Sequence, residues 1–175
     1  MQWVNNCARF FRTARVAGAL ALLGLQAAGQ PGEGSRDQPL AVAQEIVAAH
    51  NAVRSKVGVS PLVWSDDMAK VAQEWANTLV AKGAFEHRTD HRYGENLLEA
   101  SGFEPTPAQV VSAWAEEAKD YQYSANSCSG VCGHYTQVVW RDTKAVGCAV
   151  GRDAAREIWV CNYAPYGNVV GERPY

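Results

Sequence analysis

His134 opens the stretch Gly133–Arg141, GHYTQVVWR, and it is the side chain around which chemistry could gather. From Tyr135 on, the stretch is rich in β-branched and aromatic residues and follows the segment Cys128-Ser-Gly-Val-Cys-Gly133. That composition predicts a strand with a histidine at its mouth. A lone histidine is an ordinary half-buried residue, but beside carboxylates it can ligate a metal or move a proton. One such carboxylate stands out. Thr106-Pro-Ala-Gln109 carries a capping box with proline at the first helical position, and the helix it opens places Val110, Trp114, Ala118 and Tyr121 on one face. Glu117 falls in the middle of that face, while Glu116, Lys119 and Asp120 point outward. A carboxylate on a buried face must be paired, protonated or metal-bound. A further histidine, His50, shares a helical stripe with Ile46, Val53 and Val57 and reads as a hydrogen-bonded core residue.

The elements that must position these groups follow from the rest of the chain. Its 175 residues suit one domain. Arg9, Arg12 and Arg15 precede the apolar run Val16–Leu25, too short to span a bilayer, and small residues follow at Ala27, Ala28 and Gly29. Residues 1–29 are therefore expected to be a cleaved export signal. No long apolar run follows, so no transmembrane segment is expected in the mature chain. Loss of the signal lowers the basic residues from 16 to 13 against 18 acidic ones, a mature charge of about −5 that argues against nucleic acid as a partner. Residues 30–40 read as a flexible linker and 41–175 as the domain. Helices are expected from about Ala41 to Lys56 and from an N-cap at Ser65 to the Lys82-Gly83 stop, with a strand or extended segment at Gly94–Leu98. Two more strands, Ala145–Val150 and Glu157–Tyr163, form a hairpin that sets Cys148 opposite Cys161. Cys7 leaves with the signal, so four cysteines remain. In an exported chain they read as disulfides, and by exclusion Cys128 pairs with Cys132; a four-cysteine zinc site is the alternative.

The sequence resembles the CAP superfamily, which groups cysteine-rich secretory proteins, wasp-venom antigen 5 and plant pathogenesis-related proteins of the first class. The resemblance rests on four motifs in order: His50-Asn51-x-x-Arg54; Gly94-Glu95-Asn96-Leu97; Gly133-His-Tyr-Thr-Gln-Val-Val-Trp140; and Val160-Cys-Asn-Tyr-x-Pro-x-Gly-Asn168. It covers roughly residue 41 to the end. It implies an α+β fold, a three-layer α-β-α sandwich with a mainly antiparallel central sheet. It also implies a cleft with two histidines and two glutamates, by motif His87, Glu95, Glu117 and His134, competent for zinc or another divalent metal. His50, Asn51 and Arg54 become structural. Arg88 stands after His87 where relatives usually carry serine, and His91 is a rival for the same role. The cysteines of the third disulfide of plant relatives are absent.

Two imidazoles and two carboxylates suit zinc, and could lower the pKa of a bound water with Glu117 as the base. The chain lacks His-Glu-x-x-His, a Gly-x-Ser-x-Gly elbow and a free cysteine nucleophile. The expected protein is therefore a secreted, monomeric binding module for a sterol, a fatty acid or an extracellular protein, in defence, virulence or host interaction. A zinc-dependent hydrolase or peptidase is the alternative. Ala100–Pro107 and Tyr121–Asn126 are expected to form a mobile apolar rim for a sterol or fatty acid, plain surface loops being the alternative. The tail Pro165–Tyr175 resembles a peptide that plant relatives release, though it has a packing role as well.

Overall fold

The structure is a computed structural model that describes residues 8–11 and 38–175. In chain order its elements are β1 (Ala8–Phe11), α1 (Gln38–Lys56), β2 (Val63–Trp64), α2 (Asp66–Lys82), β3 (Gly94–Ser101), α3 (Pro107–Ala115), a 3₁₀ turn (Glu116–Asp120), β4 (Tyr121–Gln122), β5 (Ser127–Cys128), α4 (Gly133–Val138), β6 (Ala145–Arg152) and β7 (Arg156–Ala164). Five strands form one sheet in the order β1-β3-β7-β6-β2. The central pairs β3–β7 and β7–β6 are antiparallel, as expected, whereas the edges β1 and β2 run parallel to their neighbours, so the sheet is mixed.

Strand alternation sorts the core onto the two faces. Leu97, Ile158 and Val160 point to α2, where they meet Ala72, Ala76 and Leu79. Leu98, Trp159, Cys161 and Tyr163 point the other way, toward Ile46, Val110, Trp114, Tyr135 and Val138. The result is the expected three-layer sandwich, with α2 on one side and α1, α3 and α4 on the other. Its α2 side is tight: a Cβ at Gly147 would come within 2.4 Å of the Ser65 carbonyl oxygen.

The caps behave as read. Ser65 accepts from the Met68 N–H, Gly83 closes α2 in the left-handed conformation with φ 64°, and Thr106 and Gln109 complete a capping box. The β6–β7 register sets Cys148 opposite Cys161, and both disulfides, Cys128–Cys132 and Cys148–Cys161, are formed.

Several boundaries differ. α1 begins at Gln38, so 38–40 belong to a helix rather than to a linker. Residues 8–11, inside the stretch read as an export signal, form β1 beside β3; the rest of that stretch and residues 30–37 lie outside the described residues. The helix that carries Glu117 changes from α to 3₁₀ at Glu116. The largest difference is α4: the stretch read as a strand from Tyr135 is a short helix. Buried on nearly every side, it shows no alternation that would distinguish strand from helix, and its β-prone composition is overridden by what meets its two ends.

Candidate functional site

Two charged side chains hold α4. At its start, Glu117 Oε2 accepts the backbone N–H groups of His134 (2.9 Å) and Tyr135 (3.3 Å). At its end, the buried Arg54 guanidinium donates to the carbonyl oxygens of Val138 and Trp140, both at 2.9 Å, and further to Ser60 and Thr143. An anion at the N-terminus and a cation at the C-terminus match the helix dipole and satisfy end groups that six residues cannot satisfy themselves. Burial lowers the Arg54 pKa to about 10, still well protonated at neutral pH. Asn51, in the same motif, exchanges two hydrogen bonds with the Leu62 backbone and fixes the approach to β2.

The same Glu117 carboxylate reaches the His134 ring. Its Oε1 lies 2.5 Å from Nδ1, and a carboxylate only accepts, so Nδ1 is the donor and the neutral ring's lone pair is on Nε2. The ring is fully buried and stacks near-parallel to the Trp114 indole, 15° between planes, while Trp114 Nε1 donates to the Leu97 carbonyl. A second pair sits on the loop after α2. His87 Nδ1 lies 2.7 Å from Glu95 Oε1, which also accepts the Arg88 N–H. That loop is pinned by the Trp75 indole N–H, which donates to the Glu86 carbonyl. Arg88 stacks over the Trp75 ring and pairs with Asp90, which accounts for an arginine at this position. His91 is exposed, in the left-handed region with φ 46°, and it is His87 that meets Glu95.

The third histidine behaves differently. His50 Nδ1 donates to the Ile46 carbonyl, and Nε2 accepts from the Tyr163 hydroxyl, each at 2.8 Å. Burial pushes the Tyr163 pKa well above its usual range, so it keeps that proton, and its oxygen accepts from Asn96, whose amide also donates to the His134 carbonyl. Burial lowers the His50 pKa to about 4. Both His50 ring nitrogens are thus engaged within the fold. Asn96 and Tyr163, which join α1, β3, β7 and α4 in one network, were not singled out from sequence. Their position inside two of the four motifs was the available signal.

The four expected residues thus form two His–Glu pairs. Among the described residues no group of three or more His, Cys, Asp or Glu side chains is placed to hold a metal ion together. The fit to a metal is therefore narrower than a four-ligand set. Both Glu117 oxygens accept hydrogen bonds from His134 and Tyr135, so this carboxylate orients the histidine. The imidazoles have the form of metal ligands held through their outer nitrogens, as in carboxylate–histidine–zinc arrangements. Among the described residues, the buried Glu95 Oε2, Asn96 Oδ1 and His134 Nε2 have no hydrogen-bond partner.

The two segments expected as an apolar rim lie apart from the His–Glu pairs. Ala100–Pro107 leaves β3 at the end opposite Glu95, roughly 20 Å away at about 3.3 Å per strand residue. Tyr121–Asn126 packs instead beside the tail, where Tyr123 stacks on Tyr175.

Fold and site together define a cysteine-bridged α-β-α sandwich with two carboxylate-oriented histidines. Residues 47–163 match the cysteine-rich secretory protein (CAP) family, and the chain belongs to it. It is 45% identical over 136 residues to a PR-1-type pathogenesis-related protein of Sambucus nigra, covering 75% of this chain and 81% of that one. A PR-1 pathogenesis-related protein of Medicago truncatula is 46% identical over 135 residues, 75% and 78% covered. Among solved structures, the venom allergen-like protein 4 of Schistosoma mansoni superposes with a TM-score of 0.63 at 27% identity, covering 77% of this chain and 93% of that one. NaASP2, crystallised with Zn2+, gives 0.65 at 25% identity, with 84% and 90% covered.

Proposed function

We propose that this chain is a secreted binding protein of the pathogenesis-related type, acting in defence or host interaction, whose two oriented imidazoles take zinc or a similar divalent ion. The observation that carries the metal reading is His134 Nε2, a buried nitrogen without a partner on a ring whose other nitrogen is fixed by Glu117. An unpaired buried polar atom costs about 1–3 kcal/mol, a cost that a bound ion would relieve. His134 and His87 would hold the ion, Glu117 and Glu95 would set the rings, and a bound ion would supply Lewis acidity at that point. The match to a relative crystallised with Zn2+ supports the same reading.

Export is supported by the two disulfides and by the pathogenesis-related relatives, and no described helix is long and apolar enough to cross a membrane. For the partner, an extracellular protein suits the surface better than a sterol or fatty acid. Tyr123, Tyr166 and Val170 expose apolar side chains on and beside the tail, and tyrosine is of the aromatic kind enriched where proteins meet. The apolar cleft between α4 and the tail holds about 30 Å3, little more than a water, and a larger hollow of about 300 Å3 is lined by Arg152, Asp153, Arg156 and Glu157.

A hydrolytic reading has one observation in its favour. Glu95 Oε2 is buried without a partner, so a water-orienting carboxylate would be Glu95 rather than Glu117. The deciding experiment is zinc calorimetry with parallel peptide and ester hydrolysis on wild type, His134→Ala, His87→Ala and Glu95→Gln. Binding lost with either histidine, without hydrolysis, is the expected result. Zinc-dependent turnover that falls by about 10²-fold in Glu95→Gln would replace the binding module with an enzyme.

A further inference from the structure

We propose that Asn168, in the C-terminal tail, is a positioning residue for His134. A six-residue helix does not hold its own pose, since the first hydrogen-bonded turn is the unfavourable part of helix formation. The pose of α4 is set from outside, by Glu117 at its start and Arg54 at its end. Both contacts act along the helix axis. From the sheet, Asn96 donates to the His134 carbonyl, and from the tail Asn168 supplies the second lateral hold. Its Nδ2 donates to the Gly133 carbonyl at 2.8 Å, and its Oδ1 accepts from the Thr136 hydroxyl at 2.6 Å, so one amide grips the residues on either side of His134 and Tyr135.

The backbone around Asn168 is committed to that grip. Asn168 has φ 58°, a left-handed conformation that asparagine tolerates better than most residues. The preceding Gly167 brings the tail close enough for its N–H to donate to Gln137 Oε1 at 3.0 Å, where a Cβ would come within 2.6 Å of the Trp140 ring. Further along, the Pro174 carbonyl accepts from the Arg141 N–H, and the Tyr175 and Tyr135 hydroxyls meet at 3.1 Å. The tail is thus seated along α4 from its first turn to the residues just past its end.

His134 needs this lateral hold. Its Nε2 has no partner to fix the ring, and its orientation depends on a single 2.5 Å contact to Glu117 and on the face of Trp114. A sideways shift of the first turn by an ångström breaks that contact together with the two N–H bonds to Oε2. The His87–Glu95 pair takes its bonds from its own loop and β3, so loss of the clasp should leave it unchanged.

The inference rests on the proposed metal role only for its zinc readout; the ring readout is independent of it. The experiment is NMR of the imidazole Nδ1–H signals of the full oxidised chain without metal, assigned with His134→Ala and His87→Ala, followed by zinc calorimetry. Asn168→Gly keeps the left-handed backbone and removes the clasp. Asn168→Asp keeps the acceptor for Thr136 and loses the donor to Gly133. In Asn168→Gly the His134 signal should move and exchange with solvent at least about ten times faster, with His87 unchanged. Zinc affinity should fall about tenfold, the lower end of effects from residues that orient ligands. Asn168→Asp should fall between. Should Asn168→Gly not fold, Thr136→Val removes the Thr136 half of the clasp and leaves the bond to Gly133, so it should give the intermediate change expected of Asn168→Asp. An unaltered His134 signal, or equal changes at His134 and His87, overturns the proposal. A wild type that binds no zinc overturns the metal reading and leaves the ring readout to decide this one.

Discussion

The two His–Glu pairs use the same chemistry and are built in opposite ways. His134 is fully buried on a helix, and both oxygens of its carboxylate are engaged by three donors from α4. His87 is 27% exposed on a loop, and its carboxylate uses one oxygen and leaves the other bare. Glu117 is thus an architectural residue that also orients an imidazole. Glu95 orients the other imidazole and has one atom to spare. The same motif-level label, a glutamate of the cleft, covers two different jobs. Removing the first should damage the fold, and removing the second should damage only the cleft.

The comparison can be broken most forcefully from the far end of α4. Arg54→Met leaves the carbonyl oxygens of Ser60, Val138, Trp140 and Thr143 without their donor, at roughly 1 kcal/mol each. A loss of about 4 kcal/mol is expected by urea denaturation, together with loss of the His134–Glu117 contact and retention of His87–Glu95. A drop under about 1 kcal/mol would show that α4 does not depend on its ends.

His50 sharpens the contrast between structural and ligating histidines. Its folded pKa of about 4 lies below the ordinary 6.5, so the unfolded chain binds the proton first as pH falls. Stability from this group is complete above about pH 6.5, declines as pH falls toward 4, and is lost below it. A shift of that size corresponds to about 3 kcal/mol at most. Denaturation midpoints between pH 7 and 4 should follow that slope in wild type and flatten in His50→Gln. Parallel slopes in both would remove His50 as the cause.

The two carboxylates compare directly. Glu117→Ala should cost about 2–3 kcal/mol, because buried N–H groups lose their acceptor, and Glu95→Ala about 1 kcal/mol. Equal costs in denaturation would erase the distinction between the pairs. The smallest expected effect is at His91, which does not meet Glu95: His91→Ala should leave zinc affinity within about twofold in calorimetry, whereas His87→Ala abolishes it. A loss in His91→Ala would transfer the ligand role to it.

Much of the architecture was legible from short-range rules. Ser65, Gly83 and the Thr106–Gln109 box marked helix ends because caps are decided by a few consecutive residues. The β6–β7 register followed from hairpin symmetry, and with it the Cys148–Cys161 pair. The family resemblance nominated His87, Glu95, Glu117 and His134, of which Glu95 and His134 lie inside the four motifs, and the position of Glu117 on an apolar face already required a partner. What the sequence could not determine was everything that depends on groups far apart in the chain. α4 is a helix rather than a strand because Glu117, 17 residues before His134, and Arg54, 84 residues before Val138, supply the charges its ends need. The division of labour between the two glutamates, and the grip of Asn168 on α4 from 35 residues beyond Gly133, are likewise decided by which donors the fold brings within 3 Å. A local pattern fixes which residues are chemically capable; only the packed chain fixes which of their atoms are already in use, because hydrogen-bond capacity is consumed in space and not along the sequence.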